Sequence, residues 1–239
     1  MRVIDRHQAK IVAGFGSITR VNARLLVLTR AGLLRRYFLG ATAAGRKALY
    51  ALSTKGAAFV GVPVRGPRRR KDELLVADMF VSHQLEINQI YCALKYANVP
   101  IPEVRFNRWM SFYKPLTPAL RLIPDGYVEL ESPMGLFAAF LEVDLGHERL
   151  PAWKEKIRNY LQFALSDEPE RRFGQRQFRV LIIANSERRV RWIRRIARAS
   201  TTKIFWFTTT ESIESHGFFS PIWLRAADDN RKLFLTVCP

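Results

Sequence analysis

The chain has 239 residues and a formal net charge of +18, from 39 lysines and arginines against 21 acids, and 48% of its residues are hydrophobic. This apolar share is enough for one large domain or two modest ones. No apolar run is long enough for a membrane span, and the start MRVIDRHQAK lacks a signal-peptide core, so we expect a cytoplasmic protein. The two cysteines, Cys92 and Cys238, have no metal-ligand spacing and predict neither a disulfide nor a zinc site.

The positive charge is concentrated in the N-terminal third. Residues 1–72 hold 16 lysines and arginines and only 2 acids, whereas residues 73–239 hold 23 and 19. So large a difference in net charge between the two parts indicates a polyanionic partner that contacts mainly the N-terminal part.

Residues 6–13 are predicted to form a short helix. Ser17 is a suitable N-cap for a second helix from Ile18 to Ala31, in which Val21, Leu25 and Leu28 recur at helical spacing. Gly32 then ends that helix. The other sides of the second helix carry the polar residues that we expect to bind DNA: Arg20, Asn22, Arg24 and Arg30.

Two β segments follow, Leu33–Gly40 and Lys47–Leu52, joined by a turn that contains Arg46. A helix, a turn, an amphipathic second helix and a hairpin describe a winged helix-turn-helix domain, which we place at residues 1–62. In such a domain the second helix enters the major groove of double-stranded DNA, and Arg46 at the hairpin tip contacts the backbone. The alternative is a helix pair with a purely structural role.

The segment 63–73, PVRGPRRRKDE, is predicted to be a basic linker between domains. Its four consecutive bases would bind phosphates and add affinity without reading sequence: Arg68, Arg69, Arg70 and Lys71. The alternative is a solvated spacer.

Residues 74–239 are predicted to alternate in the order helix, strand, strand, strand, helix, strand, helix, strand, which defines an α/β domain. The helix predicted at 187–199 would cover one side with arginines, and we expect a second nucleic-acid contact there, with Arg191 and Arg195 as its candidates. The segment LFLTV at 233–237 is expected to be an edge strand or a tail packed on the sheet.

Carboxylates follow two neighbouring apolar strands in the middle of this part. Asp125 comes directly after Pro124 at the head of the first strand, and Glu142 and Asp144 stand two residues apart at the end of the second. A period of two places Glu142 and Asp144 on one face, so the three acids would share one edge of the sheet. Like charges that close need a counter-charge, and a hard cation such as Mg²⁺ prefers oxygen ligands.

The helix after these strands presents Lys156 at the border of its apolar stripe, whereas Lys154 faces away. Lys156 would therefore reach the acids at the sheet edge. The alternative is that Glu142 and Asp144 merely end a strand and that Lys156 is an ordinary solvated residue.

The segments ARLLVLTRAGLLRRY and ALYALSTKGAAFVG resemble the winged-helix half of the bacterial replication-relaxation family, a group found on plasmids and mobile elements. Such domains usually begin with a further helix that this sequence lacks. The packing face left open would be covered by something else, and a homodimer is one candidate.

The C-terminal part is similar to restriction-endonuclease-like nucleases of the PD-(D/E)xK type, since Pro124, Asp125 and Glu142 match that motif. Asp144 departs from it, because it stands where the motif has lysine. The replication-relaxation family and related conjugative relaxases resemble the chain here too, with an acid pair followed by a helix lysine and tyrosine that Lys156 and Tyr160 match.

The resemblance implies a plasmid or mobile-element protein that nicks double-stranded DNA at a recognised site. Asp125, Glu142 and Asp144 would hold Mg²⁺ or Mn²⁺, and Lys156 and Tyr160 would assist. The partners would be DNA and other plasmid transfer or replication proteins. The alternative is a DNA-binding regulator or accessory protein built on an inactive nuclease scaffold, and the sequence leaves open whether a tyrosine forms a covalent link to DNA.

Overall fold

The computed structural model describes residues 1–42, 45–64, 74–96 and 103–235. The chain forms two compact units, Met1–Tyr96 and Ala97–Pro239, each combining helices with a β-sheet. Among the described residues, no helix is both long and apolar enough to span a bilayer.

The N-terminal unit contains three strands and four helices within its described residues: β1 (Ile4–Asp5), α1 (Arg6–Val12), α2 (Ile18–Arg30), β2 (Leu34–Thr42), β3 (Gly45–Leu52), α3 (Thr54–Phe59) and α4 (Leu74–Lys95). The strands form an antiparallel sheet in the order β1-β3-β2. The predicted succession of two helices and a hairpin is therefore present, and α3 was not predicted.

The predicted ends of α2 are confirmed. The Ser17 hydroxyl accepts a hydrogen bond from the backbone N–H of Arg20 at 3.3 Å, which satisfies one of the unpaired amides at the helix start. Gly32 follows the helix with a φ of +72°, a conformation that glycine adopts without strain. Val21 and Leu25 are buried against α1 and β3, so the apolar stripe of α2 faces the core as its spacing predicted.

The long helix α4 packs within the N-terminal unit. The Gln8 side-chain amide donates to the Leu85 carbonyl at 2.8 Å, and the Asn88 amide donates to the Val3 carbonyl at 2.6 Å. Leu85 also joins Val3 in a small apolar cluster. The structure thus places the boundary between units after Tyr96, whereas the sequence placed it at 63–73 and assigned this helix to the C-terminal domain. It also supplies a packing partner for α1 and β1 from within the same chain.

Asp5 joins β1 to α1 through both of its carboxylate oxygens. Its Oδ1 accepts from the backbone N–H groups of His7 and Gln8, both at 2.8 Å, and its Oδ2 lies 2.6 Å from the Lys47 ammonium. Burial alone would raise the pKa of Asp5, but the bonds from Lys47 and the α1 backbone outweigh it and hold the pKa below its usual value.

We expect Asp5→Ala to destabilise the N-terminal unit by about 1–2 kcal/mol, the usual effect of losing an N-cap. Asp5→Asn should be milder, because asparagine also caps helices and the lost partner Lys47 is half exposed. Hydrogen exchange of the α1 amides in the full chain measures both effects. Equal protection in the wild type and Asp5→Ala would contradict the capping role.

The Asp5 carboxylate should also make the stability of the N-terminal unit depend on pH. Because the folded-state pKa lies below the unfolded value of 3.8, the contribution of Asp5 is fully present above that value and is lost as the pH falls through the folded-state pKa. The α1 amides should therefore lose protection in acid, and Asp5→Asn should remove this part of the pH dependence.

The C-terminal unit is built on a six-stranded sheet in the order β4-β5-β6-β7-β8-β9, in which β6, β7 and β8 are parallel and the outer pairings are antiparallel. Its elements are β4 (Arg105–Met110), β5 (Gly126–Ser132), β6 (Gly135–Asp144), α5 (Leu150–Leu165), α6 (Glu168–Phe173), β7 (Arg179–Ala184), α7 (Glu187–Arg198), β8 (Phe205–Thr209), α8 (Thr210–His216) and β9 (Leu224–Arg225). The predicted order of major elements is present, with α6, α8 and β9 added.

Helices α5 and α7 cover one face of this sheet, because each connects two parallel strands and carries one apolar stripe. Buried side chains from both helices and from the strands between them form the main core: Phe140, Trp153, Ile157, Tyr160, Phe163, Ile182, Val190, Ile193 and Phe207. The packing fixes the side of α5 that faces the end of β6.

Helix α6 runs to Phe173 and ends at Gly174 with a φ of +68°. For residues 233–237 the sequence left open an edge strand or a packed tail, and the described residues of that segment, 233–235, form no strand. Within the described part of the latter segment, Phe234 is buried and its ring packs on Phe218 and Trp223, so the alternative of a packed tail holds there.

Candidate functional site

The hairpin of β5 and β6 brings Asp125 to the end of β6. The Asp125 backbone N–H donates to the Leu141 carbonyl at 3.1 Å, and its side-chain Oδ2 accepts from the Val143 backbone N–H at 2.7 Å. The two bonds bracket Glu142, the residue between Leu141 and Val143. Pairing of the two strands thus holds the Asp125 carboxylate beside the end of β6, as the sequence predicted.

Glu142 lies under α5 and is 1% exposed. Its Oε1 accepts from the Tyr160 hydroxyl at 2.6 Å, and its Oε2 lies 2.8 Å from the Lys156 ammonium. Lys156 and Tyr160 are four residues apart and therefore lie on the same face of the helix. The predicted approach of Lys156 and Tyr160 to Glu142 is present.

The protonation equilibria of these groups are coupled. Burial raises the pKa of Glu142 to about 7, although the Lys156 charge acts in the opposite direction. Burial also opposes the charge on Lys156, but the carboxylates of Glu142, Glu148 and Asp125 outweigh it and raise the pKa of that amine. Lys156 is therefore held in its charged form, whereas burial favours the neutral form of Glu142.

Tyr160 is held as a hydrogen-bond donor. Burial, followed by the charge of Glu142, raises the pKa of its hydroxyl well above the usual value. Tyr127 is also fully buried, and its hydroxyl donates to Glu129 at 2.7 Å. Both tyrosines near the acids therefore have buried hydroxyls engaged with glutamates, an arrangement typical of positioning rather than of attack on a phosphate.

Glu148 is a member of the cluster that sequence reasoning missed. Its Oε1 lies 2.6 Å from the Lys156 ammonium, so Lys156 bridges Glu148 and Glu142. Its Oε2 is buried and has no hydrogen-bond partner. Glu148 lies in the loop before α5, where no periodicity indicates which side chain turns inward. The one available signal was an acid close to the start of a helix whose lysine faces the site.

Asp144 points to the same face as Glu142 but binds a different set of donors. Its Oδ2 accepts from the Trp153 indole at 2.7 Å and from Arg189 Nε and Nη2 at 3.0 and 2.8 Å. Its Oδ1 accepts from the Gly146 backbone N–H. Arg189 also donates to the Glu148 carbonyl, so Asp144 and Arg189 together fix the loop that carries Glu148.

The cluster consists of Asp125, Glu142, Glu148, Lys156 and Tyr160, which we call the acid–lysine cluster. Within the described part of the chain, no group of three His, Cys, Asp or Glu side chains is arranged to hold a metal ion. Lys156 instead provides the positive charge between two of the carboxylates.

The predicted DNA-binding residues of α2 are all exposed: Arg20, Asn22, Arg24 and Arg30. On α7, Arg191 and Arg195 are exposed, together with Arg188 and Arg198. Arg194 on the same helix turns away from this face, because its Nε donates to the Arg225 carbonyl and its Nη1 lies 2.6 Å from Asp229. The remaining predicted contacts lie outside the described residues or side chains: Arg46, Arg68, Arg69, Arg70 and Lys71.

The fold and the cluster define a mixed α/β protein with a partly buried acid–lysine centre at the end of a strand. The model of the family described as replication-relaxation matches residues 2–176. The chain therefore belongs to the replication-relaxation family, as the resemblance predicted, and this membership indicates a role related to replication or to relaxase activity. The match includes every member of the acid–lysine cluster. Comparison with curated proteins and with solved structures finds no match.

Proposed function

We propose that this protein binds double-stranded DNA and nicks one strand at a recognised site in a metal-dependent reaction, as a relaxase or replication initiator would. The observation that carries the proposal is Lys156, held by Glu142 and Glu148 beside Asp125. An ammonium group among carboxylates at the end of a strand combines ligands for a cation with a donor for a phosphate oxygen.

The donor set suits Mg²⁺ or Mn²⁺. Mg²⁺ is commonly held by one or two carboxylates, several waters and substrate phosphates, so a complete cage of protein ligands is not required. Asp125 and Glu142 remain the first candidates. The buried, unpartnered Oε2 of Glu148 makes that residue a further candidate. Asp144 was predicted as the third ligand, but its oxygens already accept from Trp153, Gly146 and Arg189, which favours a role in positioning the loop.

In this proposal Asp125, Glu142 and Glu148 would hold the metal, which would supply polarisation of the scissile phosphate and a bound water of lowered pKa. Lys156 donates to a non-bridging phosphate oxygen, whose negative charge grows in the transition state. To do so, the ammonium turns from one of its two carboxylates toward the DNA. Tyr160 holds one oxygen of Glu142 in place and leaves the orientation of that carboxylate fixed while Lys156 moves.

The DNA-binding part of the proposal rests on the N-terminal unit. Its α1, α2 and β2–β3 hairpin follow the order of a winged helix-turn-helix, and α2 exposes Arg20, Asn22, Arg24 and Arg30. In this arrangement α2 lies in the major groove, while the hairpin and the basic segment before α4 contact phosphates. The arginines of α7 provide a second contact. A restriction-endonuclease-like assignment of the C-terminal unit belongs to the same proposal, as do a cytoplasmic location, a homodimer and plasmid transfer or replication partners.

Arg24→Ala is expected to weaken binding to the recognised DNA roughly tenfold, because a lost base or phosphate contact usually changes the binding free energy by about 1–3 kcal/mol. Gel-shift titrations at fixed salt concentration measure the effect. Arg105→Ala is the matched control, since Arg105 is also exposed but begins β4 in the C-terminal unit. Equal affinities of the two variants would contradict the placement of α2 in the groove.

The proposed reaction is tested by incubating the wild-type protein with a supercoiled plasmid that carries the DNA neighbouring its gene. We expect conversion to the open-circular form with Mg²⁺ or Mn²⁺ and none with EDTA. Absence of nicking with both metals, together with tight binding to the same DNA, would overturn the reaction.

Tight DNA binding without nicking would favour a DNA-binding regulator or accessory protein built on an inactive nuclease scaffold. Two observations support this non-catalytic alternative. Asp144 occupies the position of the usual lysine of the PD-(D/E)xK motif, and Lys156 is already bound to two carboxylates.

A further inference from the structure

Aromatic and guanidinium groups alternate across the sheet of the C-terminal unit. The Arg179 guanidinium carbon lies 5.3 Å from the Phe137 ring centroid and 4.7 Å from that of Trp206. The Arg225 guanidinium carbon lies 5.7 Å from the same Trp206 centroid. These four residues come from β6, β7, β8 and β9 in order, and we call them the arginine–tryptophan stack.

The stack is remote from the acid–lysine cluster. Glu142 pairs with Ile182 and Trp206 pairs with Leu181, and since successive residues of β7 point to opposite faces, Trp206 faces away from the side that Glu142 faces. Arg179 begins β7, whereas Glu142 lies beside Ile182, three residues further along that strand, a separation of roughly 10 Å. The proposed nuclease chemistry therefore does not use these arginines.

Two donors in the stack are buried without an acceptor. Trp206 is 1% exposed, and its indole Nε1 has no hydrogen-bond partner. The Nε of Arg225 is also buried without a hydrogen-bond partner, while its Nη2 donates to the Thr202 carbonyl at 3.4 Å. No carboxylate of the described residues forms a salt bridge with Arg225. Buried donors left unpaired cost about 1–3 kcal/mol each, so two on neighbouring side chains point to a missing acceptor.

We propose that the arginine–tryptophan stack binds a phosphate group. A phosphate offers several acceptor oxygens and a negative charge, which match an indole N–H and a guanidinium better than any single neutral acceptor does. Arg225 and Arg179 remain partly exposed, so an anion in solution can reach their guanidinium groups beside Trp206. The phosphate comes either from the DNA backbone or from a free phosphorylated molecule, and the site differs from the proposed nicking centre in face and in position.

The test compares the stabilisation of the 239-residue chain by inorganic phosphate with its stabilisation by chloride at equal ionic strength, measured as a shift in melting temperature. Trp206→Phe retains the ring and deletes only the N–H, and Arg225→Met deletes the guanidinium. Each is expected to weaken phosphate binding roughly tenfold, the effect of losing a charge-assisted hydrogen bond. Lys114→Met removes an exposed charge outside the stack and should bind phosphate like the wild type.

No stabilisation of the wild type by phosphate, or equal stabilisation of the wild type and Arg225→Met, would overturn the proposal. Arg225→Met decides the outcome if Trp206→Phe fails to fold. A second measurement identifies the source of the phosphate. If DNA supplies it, Arg225→Met lowers the slope of log affinity against log salt by about 0.9. An unchanged slope, with phosphate binding lost, assigns the site to a free phosphorylated molecule.

Discussion

Lys156→Met is expected to destabilise the C-terminal unit by about 3 kcal/mol, the largest effect on stability that we predict for a single substitution. Glu142 is 1% exposed, and the variant leaves its carboxylate buried without the cation that it contacts at 2.8 Å. Removing one partner of a buried ion pair typically costs about 3–5 kcal/mol, and we expect the lower end because Glu142 retains its bond from Tyr160.

The destabilisation of Lys156→Met should depend on pH. The folded state raises the pKa of Glu142 from 4.5 to about 7 with Lys156 present, and removing the cation raises it further. A raised folded-state pKa contributes stability that is complete below the unfolded value and is lost as the pH rises through the folded value. The variant should therefore be more unstable at about pH 9 than at about pH 6, because Glu142 takes up a proton at the lower pH.

Urea unfolding followed by tryptophan fluorescence measures these differences. Lys154→Met is the matched control, since Lys154 is exposed on the same helix and should change the stability by less than about 0.5 kcal/mol. The double variant Glu142→Gln with Lys156→Met should recover most of the loss, because it also removes the buried charge at position 142. Equal destabilisation by Lys156→Met and Lys154→Met would show that the buried pair does not stabilise the fold.

Glu142→Gln is expected to reduce metal-dependent nicking by on the order of 10²–10³-fold or more while DNA binding is preserved, which is the largest effect on activity that we predict. The amide keeps the shape of the carboxylate but loses the charge that would hold the metal and Lys156. The proposed DNA-binding residues lie on α2 and α7, so gel-shift affinity should not change. Asp125→Ala should have a similar effect, because Asp125 lies beside Glu142 at the end of β6.

Glu131→Gln is the matched control for this substitution. Glu131 is exposed, and it lies toward the far end of β5 from Asp125. Its variant should nick like the wild type. Nicking by Glu142→Gln at the rate of Glu131→Gln would assign Glu142 a purely structural role, and parallel loss of DNA binding and nicking would indicate misfolding instead.

The positions of Glu142, Lys156 and Tyr160 were predictable because they follow from local periodicity. Alternation along β6 fixes the face of Glu142, and the helical repeat of α5 fixes the face shared by Lys156 and Tyr160. The same alternation places Asp144 on that face as well. Periodicity does not reveal that Arg189, on the helix after the next strand, binds the Asp144 carboxylate.

Where the structure differs from the sequence-based predictions, contacts between segments that are distant in sequence are the cause. The placement of α4 depends on the amide groups of Gln8 and Asn88, which meet across about 80 positions of sequence, and polar side chains give no periodic signal of burial. Glu148 was missed for a similar reason, since its direction is set by the loop that Arg189 and Asp144 hold. Local pattern thus predicted the elements, whereas packing between them decided the unit boundary and the full membership of the site.

Binding of Mn²⁺ to the DNA-free protein, measured by isothermal titration and by electron paramagnetic resonance, tests the central claim that the acid–lysine cluster is a metal site. We predict saturable binding to the wild type, weakening of at least roughly tenfold in Glu142→Gln as a charged ligand is lost, and unchanged binding in Glu131→Gln. Equal affinities of the wild type and Glu142→Gln would contradict the claim, as would an absence of saturable binding.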